Sequence, residues 1–407
     1  MEIISNYVEV ISYQSDWLLW NKLNGILIQL EKQNLLEEAG QYKLVTEDSE
    51  ITAYFQENQF FATDSEVQNE IRRNAVPYEN YDDVVIVISV TEKCNCACQY
   101  CYQRNWEKKQ LLKDNEYLRI LMDYFTSLVY NMPRTGGKIT IRFFGGEPLL
   151  KIELINSILN RLATLIQDSG KDIKILYEMD SNCLLLSREV LLHFSNLSIA
   201  TTLTLKNDHN LMRSGSFEQT IANLLTLKDL FELPQYSLNV TYNVHHNNID
   251  GFEEFLRFMK SLGLKCHIHT ANVENYKGNS FENKLTDMEY ENLYTDRLAP
   301  LLIKYGYTAD DLLPDYGCLR KCHALNRLSR KFYSNGTITA CSFFDPNGQT
   351  IRFDSSENEI FYLPEMCIKC YDYPYCGGKR PCMECDGTYK YRELMRKRII
   401  KYTDEVE

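Results

Sequence analysis

At 407 residues, with 44% hydrophobic and 25% charged residues, the chain has the composition of an ordinary globular protein with room for two or three domains. Its apolar runs fall short of a membrane span and Met1–Asn6 lacks the basic segment and apolar core of a secretory signal, so the expectation is a cytoplasmic protein with no membrane partner. A net charge of -12 argues against the basic face of a nucleic-acid binder, and fourteen cysteines in a reducing compartment read as metal ligands rather than as a disulfide framework.

Residues 1–82 read as a small N-terminal α+β domain. The runs Tyr7–Ile11, Trp17–Trp20 and Ile26–Leu30 are strand-like and separated by turn signals such as Asn24-Gly25, and polar helical segments follow. Such a unit is either a packing cap for its neighbour or a docking surface for a peptide.

Over residues 83–285 the pattern becomes a strict alternation. Strand-like runs at 84–90, 138–144, 173–179, 198–205, 237–244 and 265–272 are separated by amphipathic segments such as Tyr117–Phe125 and Phe252–Met259. Alternation of this kind predicts an α/β fold with a parallel sheet and crossover helices. Six units fall short of the eight of a complete barrel, and a doubly wound sheet satisfies the same pattern.

The chemistry gathers at the ends of the first two strands. After Val84–Val90 comes Cys94-x3-Cys98-x2-Cys101, with Cys96 inside the loop and Tyr100 before its last cysteine. Three thiolates from the protein leave one iron of an iron-sulfur cluster open to another ligand. A zinc knuckle competes for the same cysteines, with Cys96 as the fourth ligand it needs. The second strand runs into Gly145-Gly146-Glu147-Pro148, where two glycines allow a tight turn and close approach, proline stops the strand, and Glu147 is aimed at a cation.

These two motifs, in this order and each at a strand end, resemble those of the radical S-adenosylmethionine (SAM) family. The resemblance implies that Cys94, Cys98 and Cys101 hold a 4Fe-4S cluster whose open iron is chelated by the amino and carboxylate groups of SAM. It implies that Gly145, Gly146, Glu147 and Pro148 form the motif holding the SAM ammonium, that Tyr100 lies near the adenine, and that Cys96 is a spare. It also decides the architecture for the family's open six-unit (β/α)6 partial TIM barrel, with ligands at the carboxyl ends of the strands. Asn182 matches the residue near the SAM ribose. For the SAM carboxylate, Thr204 stands where relatives have serine and Arg213 matches their arginine, while Lys206 stands where they have an acid. A solvated surface charge is the competing reading of Arg213, and a turn or packing role is the favoured one for His209. Peptide-modifying relatives often carry an N-terminal precursor-recognition domain, and residues 1–82 are weakly similar to its winged-helix pattern.

Residues 286–317 read as a linker with a helix over Met288–Tyr294. Residues 318–407 hold Cys318, Cys322, Cys341, Cys367, Cys370, Cys376, Cys382 and Cys385, enough thiolates for two tetrads, and end in a helix. Asn335-Gly336 signals a hairpin that returns Cys341 towards Cys322. The Cys322…Gly336-x4-Cys341 and Cys367-x2-Cys370-x5-Cys376 elements resemble the SPASM extension of radical SAM enzymes, which carries two auxiliary 4Fe-4S clusters. By position, Cys318, Cys322, Cys341 and Cys382 would ligate one and Cys367, Cys370, Cys376 and Cys385 the other. Arg380 stands where relatives place the next cysteine, so the sorting of Cys382 and Cys385 stays open. A pair of zinc sites is the bland alternative. Cys183 and Cys266 read as small buried hydrophobes.

The resemblance implies three 4Fe-4S clusters, SAM, and an external reductant of flavodoxin or ferredoxin type. It implies a 5′-deoxyadenosyl radical that abstracts hydrogen from a precursor peptide of ribosomal origin, with an auxiliary cluster taking the further electron when a thioether or carbon-carbon crosslink closes. The rival within the family is a sulfatase-maturing, formylglycine-generating enzyme; relatives of that type have an acid where this chain has Ser342. A non-enzymatic metal-binding or nucleic-acid-binding module is the alternative from another class. The residues named no catalytic base.

Overall fold

The computed structural model describes residues 2–74, 76–105, 111–273, 281–307, 323–340, 365–371 and 392–406. At the N-terminus, strands β1 (Glu2–Ile3), β2 (Val8–Tyr13), β3 (Asp16–Asn21), β4 (Leu27–Glu31), β5 (Leu35–Glu38) and β6 (Gln41–Leu44) form two antiparallel sheets, β2-β3-β4 and β1-β6-β5. The first is the meander expected from the apolar runs. The second lies where the sequence suggested polar helix. Its hairpin turns at Ala39 and Gly40, at φ 52° and 78°, the left-handed pair a two-residue hairpin needs. Only Leu35 of β5 is buried, so no alternation announced the strand. Helices α1 (Ser49–Glu57) and α2 (Asp64–Asn74) follow, the first capped by the Asp48 carboxylate on the Glu50 and Ile51 amides.

The second unit is a parallel sheet. Strands β7 (Val84–Thr91), β8 (Thr135–Gly145), β9 (Asp172–Asp180), β10 (Leu197–Thr202), β11 (Tyr236–Val244) and β12 (His267–Asn272) lie side by side in chain order, every neighbouring pair parallel. A doubly wound sheet reverses its order at a switch point. This one does not, which makes it the barrel-like solution of the same alternation. The crossovers are α3 (Asp114–Asn131), α4 (Ile152–Ser169), α5 (Arg188–Leu192), α6 (Lys206–Met212) with α7 (Phe217–Thr226), and α8 (Phe252–Leu262).

Period-two patterning sorts the two faces of the sheet. In β11, Tyr236, Leu238, Val240, Tyr242 and Val244 are buried while Ser237, Asn239, Thr241 and Asn243 between them are half-buried. The buried set packs with stripes such as Leu154, Ile155, Ile158 and Leu162 of α4 in one core. On the opposite face β11 presents only polar residues, which stay outside that core.

After α9 (Asp287–Leu293) and α10 (Ala299–Lys304), the chain adds β13 (Arg330–Phe332) and β14 (Ile338–Thr339). These flank Asn335-Gly336 as an antiparallel hairpin, and β13 pairs parallel with β7, widening the sheet beyond its six expected strands. The Tyr117 hydroxyl lies 3.2 Å from both Ser89 O and Phe332 O and ties α3 to this seam.

The N-terminal unit packs on C-terminal segments. Met395 and Ile399 of the last helix, Arg392–Val406, join Ile11, Tyr13, Leu18 and Trp20, while Cys367 and Ile368 join Tyr7, Leu23, Val67 and Ile71. Arg72 pairs with Glu365 at 2.8 Å and Tyr371 donates to Asp64 at 2.8 Å. Among the described residues no helix is long and apolar enough to cross a membrane.

Candidate active site

The cysteine loop and the glycine turn grip each other through their backbones. Gly146 N–H donates to Thr91 O at 2.8 Å and Glu147 N–H to Lys93 O at 2.9 Å. The fit excludes side chains. A Cβ on Gly145, whose φ is +126°, would sit 2.2 Å from Thr91 O, and one on Gly146 would sit 2.2 Å from Lys93 O. Pro148 opens the following turn, Pro148–Lys151, where its missing N–H costs nothing.

Glu147 is fully buried. Its carboxylate accepts from Ser181 Oγ at 2.8 Å, Asn182 N–H at 2.7 Å and Leu149 N–H at 3.2 Å. Burial raises its pKa against the pull of these bonds and of Arg213. All three bonded donors are neutral, so the charge is hydrogen-bonded but has no cation in contact, and an ammonium group is the ligand that would complete it.

The far wall comes from β9 and the turn after α6. Asn182 Nδ2 donates to Asn95 Oδ1 at 2.7 Å and reaches Cys94 Sγ at 3.7 Å. Gln99 bonds to Met212 O and Leu211 O, both at 2.9 Å, Cys96 Sγ donates to Arg213 O at 3.2 Å, and Ser214 Oγ donates to Ala97 O at 3.3 Å. Arg213 is no surface charge: it is 6% exposed, bonds to Thr202 O, and its Nε is buried without a partner. Burial disfavours its charge, but Tyr100, Cys98 and Cys96 around it hold its pKa above the ordinary value. Tyr100 meets Asn243 at the end of β11 and is pushed up to about 12 by burial. The cysteines, Tyr100, Glu147, Asn182 and Arg213 therefore converge on one site at the carboxyl ends of the strands.

Three further positions singled out in the sequence have other partners. Thr204 is buried, but its hydroxyl is bonded to Asp208, which His245 holds at 3.0 Å. Lys206 pairs with Glu218 at 2.6 Å on the surface. His209 is a packing residue: it is fully buried, lies 3.0 Å from Ser216 Oγ and packs edge-on against Phe217. Burial, assisted by Arg213, lowers its pKa to about 3.

Sequence reasoning passed over Ser181, Asn95, the lumen pair Arg142–Asp180 (2.5 and 2.8 Å), and Glu92, which accepts from Ser89 and from both the hydroxyl and amide of Ser334 in the β13–β14 hairpin. Alternation within β8 and β9 could have flagged Arg142 and Asp180 as residues of the face turned away from the core; nothing local could have paired Glu92 with Ser334.

Of the C-terminal cysteines, Cys367 is buried and Cys370 half-buried beside α2. Cys318, Cys322, Cys341, Cys376, Cys382 and Cys385 lie outside the described residues. Gly336, at φ +88°, would bring a Cβ within 3.0 Å of Leu112. Among the described residues no three His, Cys, Asp or Glu side chains converge as one metal ion requires.

Residues 88–259 match the family model of the radical SAM superfamily. An uncharacterized protein of Methanocaldococcus jannaschii is 26% identical over 184 residues, 44% of this chain and 59% of that protein, so the match spans less than two thirds of its length. The radical SAM cyclopropyl synthase TigE of Paramaledivibacter caminithermalis is 21% identical over 401 residues, 88% of this chain and 82% of that one. In fold, the chain resembles native anSMEcpe with bound AdoMet and Cp18Cys peptide, with a TM-score of 0.56 at 16% identity over 79% of this chain and 97% of that one.

Proposed function

We propose that this protein is a radical SAM peptide-modifying enzyme that removes hydrogen from a ribosomal precursor peptide and closes an oxidative crosslink. The observation that carries the SAM site is Glu147, a buried carboxylate bonded only by neutral donors and locked by backbone to the cysteine loop. In this reading Cys94, Cys98 and Cys101 hold the cluster, Glu147 accepts from the SAM ammonium, Arg213 turns its buried, partnerless Nε to the SAM carboxylate, and Tyr100 and Asn182 line the adenosine. When bound, cluster and SAM supply a 5′-deoxyadenosyl radical that takes a hydrogen atom from substrate.

In this reading the polar face of β11, with Arg142 and Asp180 of β8 and β9, orients the substrate beneath that site. The eight C-terminal cysteines would hold two auxiliary clusters, which would supply an acceptor for the second electron. Removing two hydrogens then leaves one hydrogen on 5′-deoxyadenosine, one proton in solvent and one electron on the protein. Peptide as substrate is supported by the fold likeness to anSMEcpe with its bound peptide. A carbon-carbon bond rather than a thioether is favoured by the likeness to TigE over most of both chains, since closing a cyclopropyl ring makes such a bond. Residues 1–82, as a domain that packs on the Cys367 segment, are suited to present the peptide to the C-terminal cysteines.

The test is anaerobic. Reconstituted protein should contain about twelve irons per chain, three four-iron clusters. It should form 5′-deoxyadenosine with a strong reductant, and convert a precursor peptide encoded beside it to a product lighter by two hydrogens. The Cys94/Cys98/Cys101 triple alanine variant should do neither reaction. Zinc in place of iron, or deoxyadenosine formation surviving in the variant, overturns the proposal; a product that has lost sulfur transfers it to the formylglycine rival.

A further inference from the structure

We propose that Cys96 is the disulfide partner of Cys98 in the cluster-free protein, a reversible oxidation that shields a cluster ligand from permanent damage. Cys96 is the one loop thiol that the site reading leaves without a task. Its Sγ lies 3.7 Å from Cys98 Sγ, in van der Waals contact. Cys96 Sγ also donates to Arg213 O at 3.2 Å, while Cys94 Sγ accepts from the Cys96 amide at 3.4 Å and from Asn182 Nδ2 at 3.7 Å. Cys183, the next thiol near the site, is sealed at 0% exposure. The proposal requires the 3.7 Å sulfur contact to close to the roughly 2 Å of a disulfide.

The chemistry requires hydrogen peroxide as oxidant. Two S–H bonds break, one S–S bond forms, the O–O bond of peroxide is cleaved, and both thiol hydrogens leave in two waters. A ligand thiol with no neighbour to condense with advances from sulfenic to sulfinic acid, which thiol reductants do not reverse. With iron bound, Cys98 is held by the metal and the disulfide cannot close; once the cluster is lost, it can. The proposal rests on the reading of Cys94, Cys98 and Cys101 as cluster ligands.

Trypsin cuts after Lys93 and Arg104, releasing all four loop cysteines in one peptide. Full-length apoprotein is treated with two equivalents of peroxide per chain, one for each oxygen that a sulfinic acid takes up, its free thiols are alkylated, the disulfide is reduced and the new thiols take a second label. The expected result is the first label on Cys94 and Cys101, the second on Cys96 and Cys98, and iron reloading restored to the untreated level after thiol reduction. In Cys96→Ser, Cys98 should carry two added oxygens after the same treatment, and reloading should fall by the fraction so oxidised. A disulfide between any other pair, or equal recovery of wild type and Cys96→Ser, overturns the proposal. If untreated Cys94, Cys98 and Cys101 variants load as much iron as wild type, the cluster reading itself falls, whatever the label map.

Discussion

Replacing Gly146 with alanine tests the contact on which the site depends. The added Cβ would meet Lys93 O at 2.2 Å, Lys93 C at 2.4 Å and Glu92 O at 2.8 Å, all of them backbone atoms that no rotamer can move aside. Reaching even the 3.0 Å floor of real contacts means parting the glycine turn from the cysteine loop by nearly 1 Å. That displacement acts on both partners at once, because the Gly146 and Glu147 amides are bonded across the same gap. Overpacking of this kind costs about 1–3 kcal/mol. The functional loss is larger, since a shift of about 1 Å at a reacting centre costs on the order of 100-fold in rate. Gly170→Ala is the control: φ is +62° with nothing within 4 Å, so it carries backbone strain of about 1–2 kcal/mol far from the site. The assay is 5′-deoxyadenosine formation by reconstituted protein, beside urea unfolding of each variant. Gly146→Ala should lose about 100-fold in rate while Gly170→Ala keeps it with comparable destabilisation. Wild-type turnover in Gly146→Ala would refute the argument that this backbone contact sets the geometry.

Glu147→Gln should weaken SAM binding by roughly 10- to 100-fold in calorimetric titration, the loss of a charge-assisted bond worth about 1.5–3 kcal/mol. Because burial raises the Glu147 pKa, the SAM-free fold should lose stability as pH rises above the ordinary 4.5, and the variant should lack that component of the slope in urea midpoints. His209 acts with the opposite sign on acidification. Its pKa falls from 6.5 to about 3 in the fold, so the unfolded chain binds the extra proton between those values, and stability should drop as pH is lowered from 6.5 towards 3. His209→Gln should flatten that drop in the same urea series. Tyr117→Phe removes the hydroxyl beside Ser89 O and Phe332 O, and should cost about 1–3 kcal/mol and speed amide exchange in β13 and β7.

The amino-acid order alone determined whatever is written in short-range periodicity and spacing. Six strands followed from period-two apolar runs, and the structure orders them as a single parallel series. The thiol loop and Gly145-Gly146-Glu147-Pro148 were legible because their chemistry is confined to a few consecutive residues. Only the tertiary structure decided which distant groups meet. Arg213 has the same composition on a surface or under one; burial beneath the loop made it part of the site. Thr204 matched by position, yet the fold turned its hydroxyl to Asp208. Ser181 and Asn95 carried no signal because each acts through a partner from another strand end, Glu147 for one and Asn182 for the other. The pairing of β13 with β7, more than 240 residues away in the Arg330–Ile86 register, and the packing of Tyr7 and Val67 around Cys367 depend on chain crossings. Local propensity does not encode such crossings; they follow from burying the apolar faces of several elements against one another at once.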